Sequence, residues 1–111
     1  MKNHLAIEAL AALAQQHRLA VFRLLVQTGP EGRAAGAIAE ALSLPASSLS
    51  FHLAHLNRAG LIVQRREGRS LIYSADFDAM NALVGFLTEK CCGGRDCSPA
   101  AATRKQKRRA A

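Results

Sequence analysis

The fold class predicted for this chain is α+β: mainly helical, with one small β-hairpin. Three observations predict it. Half of the 111 residues are hydrophobic but only 5 % are aromatic, so the core is built from Leu, Ala and Val, a composition that favours helices. Apolar residues recur at helical spacing as far as about Gly60. Beyond that glycine the period becomes that of extended chain, in two short runs separated by a turn. The expected order is four helices, two strands and a fifth helix, all in one domain. A chain of this length buries roughly two-thirds of its unfolded surface, enough for a core without staples.

The first helix is expected over 5–15, with Ala6, Leu10 and Leu13 at helical spacing and Asn3 as a cap. His17-Arg18-Leu19-Ala20-Val21-Phe22-Arg23-Leu24-Leu25 reads as a second helix whose Leu, Val and Phe density implies deep burial. Gly29-Pro30 ends it. Ala35, Ile38, Ala39 and Leu42 mark a short third helix whose small residues allow close packing on the next one. Ser43-Leu44-Pro45 is then a tight turn between two helices.

The stretch from Pro45 to Gly60 carries the most information. Pro45 suits a first helical turn, where a missing N–H costs nothing, and Gly60 supplies the stop. At 100° per residue, Leu49, Leu53 and Leu56 fall on one side and point inward. Ser47, Phe51, His55 and Arg58 fall opposite, with Ser50 and Ala54 at the edge and Ser48 close behind the start. The outer face thus offers hydroxyls, an imidazole, a guanidinium and an aromatic ring, without a carboxylate. Such a face suits base edges, phosphates and a thymine methyl, and poorly suits a catalytic cleft. The stretch reads as the groove-entering helix of a helix-turn-helix.

Strands are expected at 61–66 and 70–74, with Glu67-Gly68 as the turn. Arg65, Arg66 and Arg69 cluster at the tip around one glutamate. A bland reading is a solvated hairpin whose charges protect its edges. The sharper reading, favoured by the preceding helix, is a wing that sets guanidinium groups on phosphates or in a minor groove.

Asp76 is expected to cap a last helix reaching about Lys90. Phe77, Met80, Val84 and Leu87 form its apolar stripe, which Leu83 and Phe86 widen enough to serve a second subunit as well as the core. Of the net charge of +7, five positive charges sit in Arg104, Lys105, Lys107, Arg108 and Arg109. The basicity is therefore concentrated in a tail, 98–111, that reads as disordered and solvated, whereas 1–97 forms the domain. No apolar run approaches a membrane span of about 20 residues, and the N-terminus lacks the pattern of a signal peptide. The expected location is the cytoplasm, where thiols stay reduced.

All three cysteines lie within seven positions, Cys91-Cys92-Gly93-Gly94-Arg95-Asp96-Cys97. The glycine pair lets the chain fold back so that Cys97 reaches the other two, and Lys90 and Arg95 favour thiolates. Three soft thiolates select thiophilic ions over Mg, Ca and Mn. Structural zinc takes four ligands, and no Cys-x-x-Cys pair or nearby His completes that set. Trivalent arsenic or antimony needs only three. Another soft metal, a redox pair, or three surface thiols without a ligand are the alternatives. His52 reads as a partly buried packing residue, His55 as outward-facing, and His4 and His17 as exposed or capping groups.

Ser50-Phe51-His52-Leu53 with Leu56, followed by Ala59-Gly60-Leu61, resembles the recognition-helix pattern of the ArsR/SmtB family of winged-helix repressors. The similarity runs from about His17 to the cysteines. It implies a winged helix-turn-helix, a homodimer formed by the first and last helices, and a double-stranded operator with dyad symmetry. It also implies an arsenic-responsive type, since some members carry a Cys pair and a third Cys just beyond the last helix. Other members place thiolates near the recognition helix or in the first helix, where this chain has none, and zinc-sensing members use His on the last helix, which here has none.

The expectation is a repressor that needs no cofactor to bind DNA and leaves it when As(III) or Sb(III) binds Cys91, Cys92 and Cys97. Ser47, Ser48, Ser50, Phe51 and His55 would read sequence, while Arg58, Arg65, Arg66 and Arg69 would hold phosphates. A thiol metal carrier leaves the Ser/Phe/His/Arg face without a purpose. An enzyme would need a nucleophile beside a base or a redox Cys-x-x-Cys, and the sequence shows neither.

Overall fold

The computed structural model describes residues 1–94. The elements are α1 (Asn3–Leu13), α2 (Gln16–Thr28), β1 (Arg33–Ala34), α3 (Ala35–Leu42), α4 (Ala46–Arg58), β2 (Ile62–Glu67), β3 (Ser70–Ala75), α5 (Phe77–Leu87) and a 3-10 turn, η1 (Cys91–Gly94). Five α-helices and a three-stranded antiparallel sheet reproduce the expected class and order. β1 is the addition. Two residues without alternation leave no period to read, and Arg33 and Ala34 become a strand only by pairing with Tyr73 and Ile72.

Several boundaries differ from the sequence reading. α1 starts at Asn3, so Asn3 lies inside the helix and Lys2 takes the cap position without a side-chain bond. Its buried stripe is Ala6, Ala9 and Ala12, whereas Leu5, Ile7 and Leu10 are exposed. Alanines on the inner face allow close helix approach and leave the larger side chains outside. At α2 the Gln15 side chain caps the helix by accepting from the Arg18 N–H at 2.9 Å. Gly29, with φ 96°, closes it.

The turn into α4 rests on Ser43 in the left-handed region at φ 53°. There the Leu44 N–H reaches the Ala39 carbonyl at 3.0 Å. Pro45 occupies the cap position itself, one residue before the first turn, and its carbonyl accepts from the Leu49 N–H at 3.0 Å. At the other end Gly60 has φ 77° and the Leu61 N–H bonds back to the Leu56 carbonyl at 3.1 Å. That six-to-one bond is a Schellman closure, and it turns the chain directly from α4 into β2.

The core is a single cluster drawn from Val21, Phe22 and Leu25 of α2, Ile38 of α3, Leu49, Leu53 and Leu56 of α4, then Leu61, Ile62, Ala75 and Leu83. α4 is thereby fixed along its length by the three leucines predicted to point inward. The hairpin register pairs Ile62 with Ala75 and Glu67 with Ser70, so the turn centre is Gly68-Arg69, one residue later than expected. Of these two, only Gly68 has a positive φ, the pattern of a type II′ turn. Asp76 caps α5 as expected, accepting from the Ala79 N–H at 3.0 Å. α5 ends at Leu87, short of Lys90. Thr88 donates back to the Val84 carbonyl at 2.8 Å, and Lys90 then adopts φ 55°, which no helix continues through.

Candidate nucleic-acid interface and thiol pair

The outer face of α4 is displayed as its periodicity requires. Ser47, Ser50, Phe51 and Arg58 are exposed and Ser48 and His55 half-exposed. Phe51 is 78 % exposed, its ring displayed on the outer face. Ser50 donates its hydroxyl to the Ala46 carbonyl at 3.1 Å. Its oxygen lone pairs remain directed outward, so Ser50 presents an acceptor in place of a donor.

The wing separates its three arginines. Arg66 and Arg69 are exposed at and beside the tip. Arg65 is engaged instead: Nε donates to Glu67 Oε1 at 2.9 Å, Nη1 to the Pro30 carbonyl at 3.2 Å and Nη2 to the Glu31 carbonyl at 2.6 Å. A guanidinium anchored on two carbonyls across 34 positions of sequence ties the hairpin to the α2–β1 loop. That loop is held in turn by the Arg33 Nε donating to Thr28 Oγ1 at 2.9 Å. Gly32, with φ +70°, is required there because a Cβ would press on the Tyr73 carbonyl. No sequence signal exposed this clamp, because backbone carbonyls are invisible to residue patterns.

Along one flank of α4 lies a cluster of imidazole and guanidinium groups that the sequence left dispersed. The His17 and His52 rings sit 5.6 Å apart at 41°. His17 is thus half-buried against α4, neither a free surface group nor a cap, and His52 has the packing role expected of it. His55, Arg58 and Ala59 line a hollow of about 390 Å³ with Glu8 and Ala11 of α1. Burial, and then the neighbouring His17, Arg18 and His55, hold the His52 imidazole below its ordinary range. His55 is lowered in the same sense by burial and by Arg18 and Arg58.

Cys91 and Cys92 sit in η1, immediately after the turn that ends α5. Their Sγ atoms are 3.5 Å apart, too far for a disulfide and close enough for one soft ion to span. Cys92 adopts φ 56°, in the left-handed region. Cys97 and the tail lie outside the described residues. Among the described residues no group of three or more His, Cys, Asp or Glu could hold a metal. Two of the three cysteines expected as ligands are side by side just beyond the end of α5.

Apolar side chains are also left exposed on α1 and α5. Leu5, Ile7 and Leu10 of α1 and Val84 and Leu87 of α5 are exposed apolar residues on two helices that pack together. Among the described residues no helix is long and apolar enough to cross a membrane.

A family model described as a helix-turn-helix domain matches residues 13–65, from the end of α1 into the wing. The chain is 32 % identical over 87 residues to the HTH-type transcriptional regulator YgaV of Escherichia coli, covering 78 % of this chain and 86 % of that protein. It is 30 % identical to the transcriptional activator HlyU of Vibrio cholerae, covering 78 % of each. A structure of reduced HlyU superposes with a TM-score of 0.62 at 28 % identity, over 80 % of this chain and 90 % of that one. The homodimeric winged helix-turn-helix DNA-binding domain of Mb0332 from Mycobacterium bovis, a possible ArsR-family regulator, superposes with a TM-score of 0.63 at 28 % identity, over 86 % and 88 % of the two chains. The named relatives are transcriptional regulators, and the resemblance in the recognition helix now has a matching fold around it. The chain belongs to the helix-turn-helix transcriptional regulators, with a winged helix-turn-helix fold similar to that of a possible ArsR-family member.

Proposed function

We propose that this regulator is a homodimeric repressor that binds a dyad-symmetric operator in its thiol-reduced, metal-free form and is released by As(III) or Sb(III). The observation that carries the inducer assignment is the adjacent Cys91–Cys92 pair, with sulfurs 3.5 Å apart, directly beyond α5. Two thiolates from η1 and Cys97 from the following segment supply the three soft ligands that trivalent arsenic-group ions take.

The dimer rests on the exposed apolar residues of α1 and α5, and on the homodimeric state of the Mb0332 domain. Two α4 helices related by a two-fold axis enter successive major grooves about one helical turn apart. Ser47, Ser48, Ser50, Phe51 and His55 read base edges from the outer face. Arg58, Arg66 and Arg69 contact phosphate, and Arg65, clamped to the Pro30 and Glu31 carbonyls, stiffens the wing that aims them.

Release follows from position. η1 is joined to α5 by only Thr88, Glu89 and Lys90, so drawing three sulfurs together pulls on the end of a helix in the dimer seam. A change in that seam alters the spacing of the two α4 helices, and a coupling of about 1–3 kcal/mol is enough to change occupancy.

The test is fluorescence anisotropy of the reduced protein on its own upstream promoter, titrated with arsenite, antimonite, zinc and cadmium. Release by arsenite and antimonite, lost in Cys92→Ser while DNA binding persists, supports the reading. A Cys92→Ser protein that stays fully inducible, or release by zinc instead, overturns the ligand assignment. A second reading, oxidation of the same pair, is favoured by the short sulfur–sulfur distance. It predicts release by peroxide in the absence of any metal.

A further inference from the structure

Of the basic groups beside α4, His17, Arg18 and His52 are not used by the outer-face reading, and they adjoin His55 and Arg58, which are. His17 and Arg18 come from the start of α2, His52, His55 and Arg58 from α4, and the fold brings them to one flank. The His17 and His52 rings are in contact range at 5.6 Å. Arg18 is anchored by its Nε on the Ala12 carbonyl at 2.6 Å, which fixes the guanidinium at the α1–α2 corner and leaves its Nη groups for another acceptor. His55 and Arg58 line the adjoining hollow. Glu8 of α1 is the carboxylate lining that hollow, and it forms no ion pair within 4.0 Å among the described residues.

Like charges gathered this way repel, and the neighbouring cations are among the causes that hold both imidazoles in the neutral form. An anion on this flank would reverse that repulsion. A helix lying in a major groove has a sugar–phosphate strand along each side, so the flank of α4 faces phosphodiesters while its outer face meets base edges. A metal ion fits less well, since two imidazoles are the nitrogen ligands in contact and no third ligand joins them among the described residues.

We propose that His17, Arg18 and His52, with His55 at the border of the base-reading face, form a second phosphate-binding surface for the DNA strand beside the recognition helix, and that the His52 and His55 imidazoles take up protons as DNA binds. This rests on the reading of α4 as the DNA-contacting helix. Arg18 supplies a permanent charge and the histidines a conditional one, so operator affinity rises as pH falls. The sign is opposite for the free protein. Imidazoles held neutral in the folded state bind fewer protons than in the unfolded chain, so the fold alone loses stability as pH falls through about 6.5.

The experiment measures affinity for the labelled upstream-promoter duplex at pH 6, 7 and 8, at constant ionic strength and with thiols reduced. The wild-type protein is expected to bind about five- to tenfold more tightly at pH 6 than at pH 8, the effect of taking up one proton per protomer over part of that range. His52→Gln/His55→Gln is expected to bring the ratio of the two affinities close to one. NMR titration of the wild-type imidazoles, with and without the duplex, is expected to move the His52 and His55 midpoints upward on DNA, a readout independent of how any variant folds. A wild-type affinity that does not respond to pH, an unchanged ratio in the double variant, or midpoints unmoved by DNA would each overturn the proposal. Failure to bind the duplex at every pH would overturn the DNA-contact reading beneath it, which distinguishes the two failures.

Discussion

The recognition helix α4 and the last helix α5 follow one amphipathic rule and finish in different situations. α4 buries Leu49, Leu53 and Leu56 and turns hydroxyls, Phe51 and Arg58 outward. α5 buries Leu83 alone and turns Val84 and Leu87 outward, at 55 % and 57 % exposure. Within one protomer α4 has satisfied its apolar face and keeps a polar one for another molecule. α5 has apolar surface left over. The unsatisfied half of each helix sets the chemistry of the partner proposed for it: base edges and phosphates for one, a second copy of the same apolar face for the other.

The comparison breaks most visibly at α5. Val84→Lys/Leu87→Lys places four cations across the proposed dimer seam, where like-charge juxtaposition costs several kcal/mol, on the order of a thousandfold in the dimer dissociation constant. Sedimentation should report a folded monomer, because both positions are already exposed in the protomer. A dimer of unchanged mass would move the interface elsewhere.

On the buried side of α4, Leu56→Ala removes a fully buried side chain at the Schellman closure and should cost about 2–5 kcal/mol in urea unfolding. On its outer side, Phe51→Ala should leave unfolding within about 0.5 kcal/mol of wild type while weakening operator binding by about 1–3 kcal/mol. Similar losses in both measurements for either variant would mean that α4 does not divide its faces as described.

The smaller effects sharpen the outline. Asp76→Ala removes the bond to the Ala79 N–H and should lower stability by about 1 kcal/mol, fraying the start of α5. Arg69→Gln should reduce the magnitude of the slope of log affinity against log salt by roughly one per protomer, as expected for a lost phosphate contact. The thermal midpoint should hold. Arg65→Gln should show the reverse bias, with wing order lost, measurable by amide exchange in β2 and β3, because its donors are spent on Pro30 and Glu31.

Much of this molecule was legible in the sequence because local rules govern it. Helical periodicity identified the inward leucines of α4. Gly60 and Asp76 marked true ends because a left-handed backbone and an orphan N–H each demand a particular residue. The change of period after Gly60 located the hairpin to within a residue. The outer face of α4 was readable for the same reason: a 100° step assigns each side chain a direction, whatever lies beyond it.

Tertiary structure alone decided the rest, and the common cause is contact between positions far apart in the chain. β1 exists because Tyr73 and Ile72 offer it an edge. Arg65 became a clamp because Pro30 and Glu31 bring their carbonyls to it. His17 met His52 because α2 crosses α4, so histidines that read singly as packing or surface groups became one basic flank. Periodicity and capping act over about one helical turn, and they settle which elements form and which way they face. Which carbonyl an arginine meets, and which cation an imidazole sits beside, depends on how those elements pack, and that is set by the whole core at once.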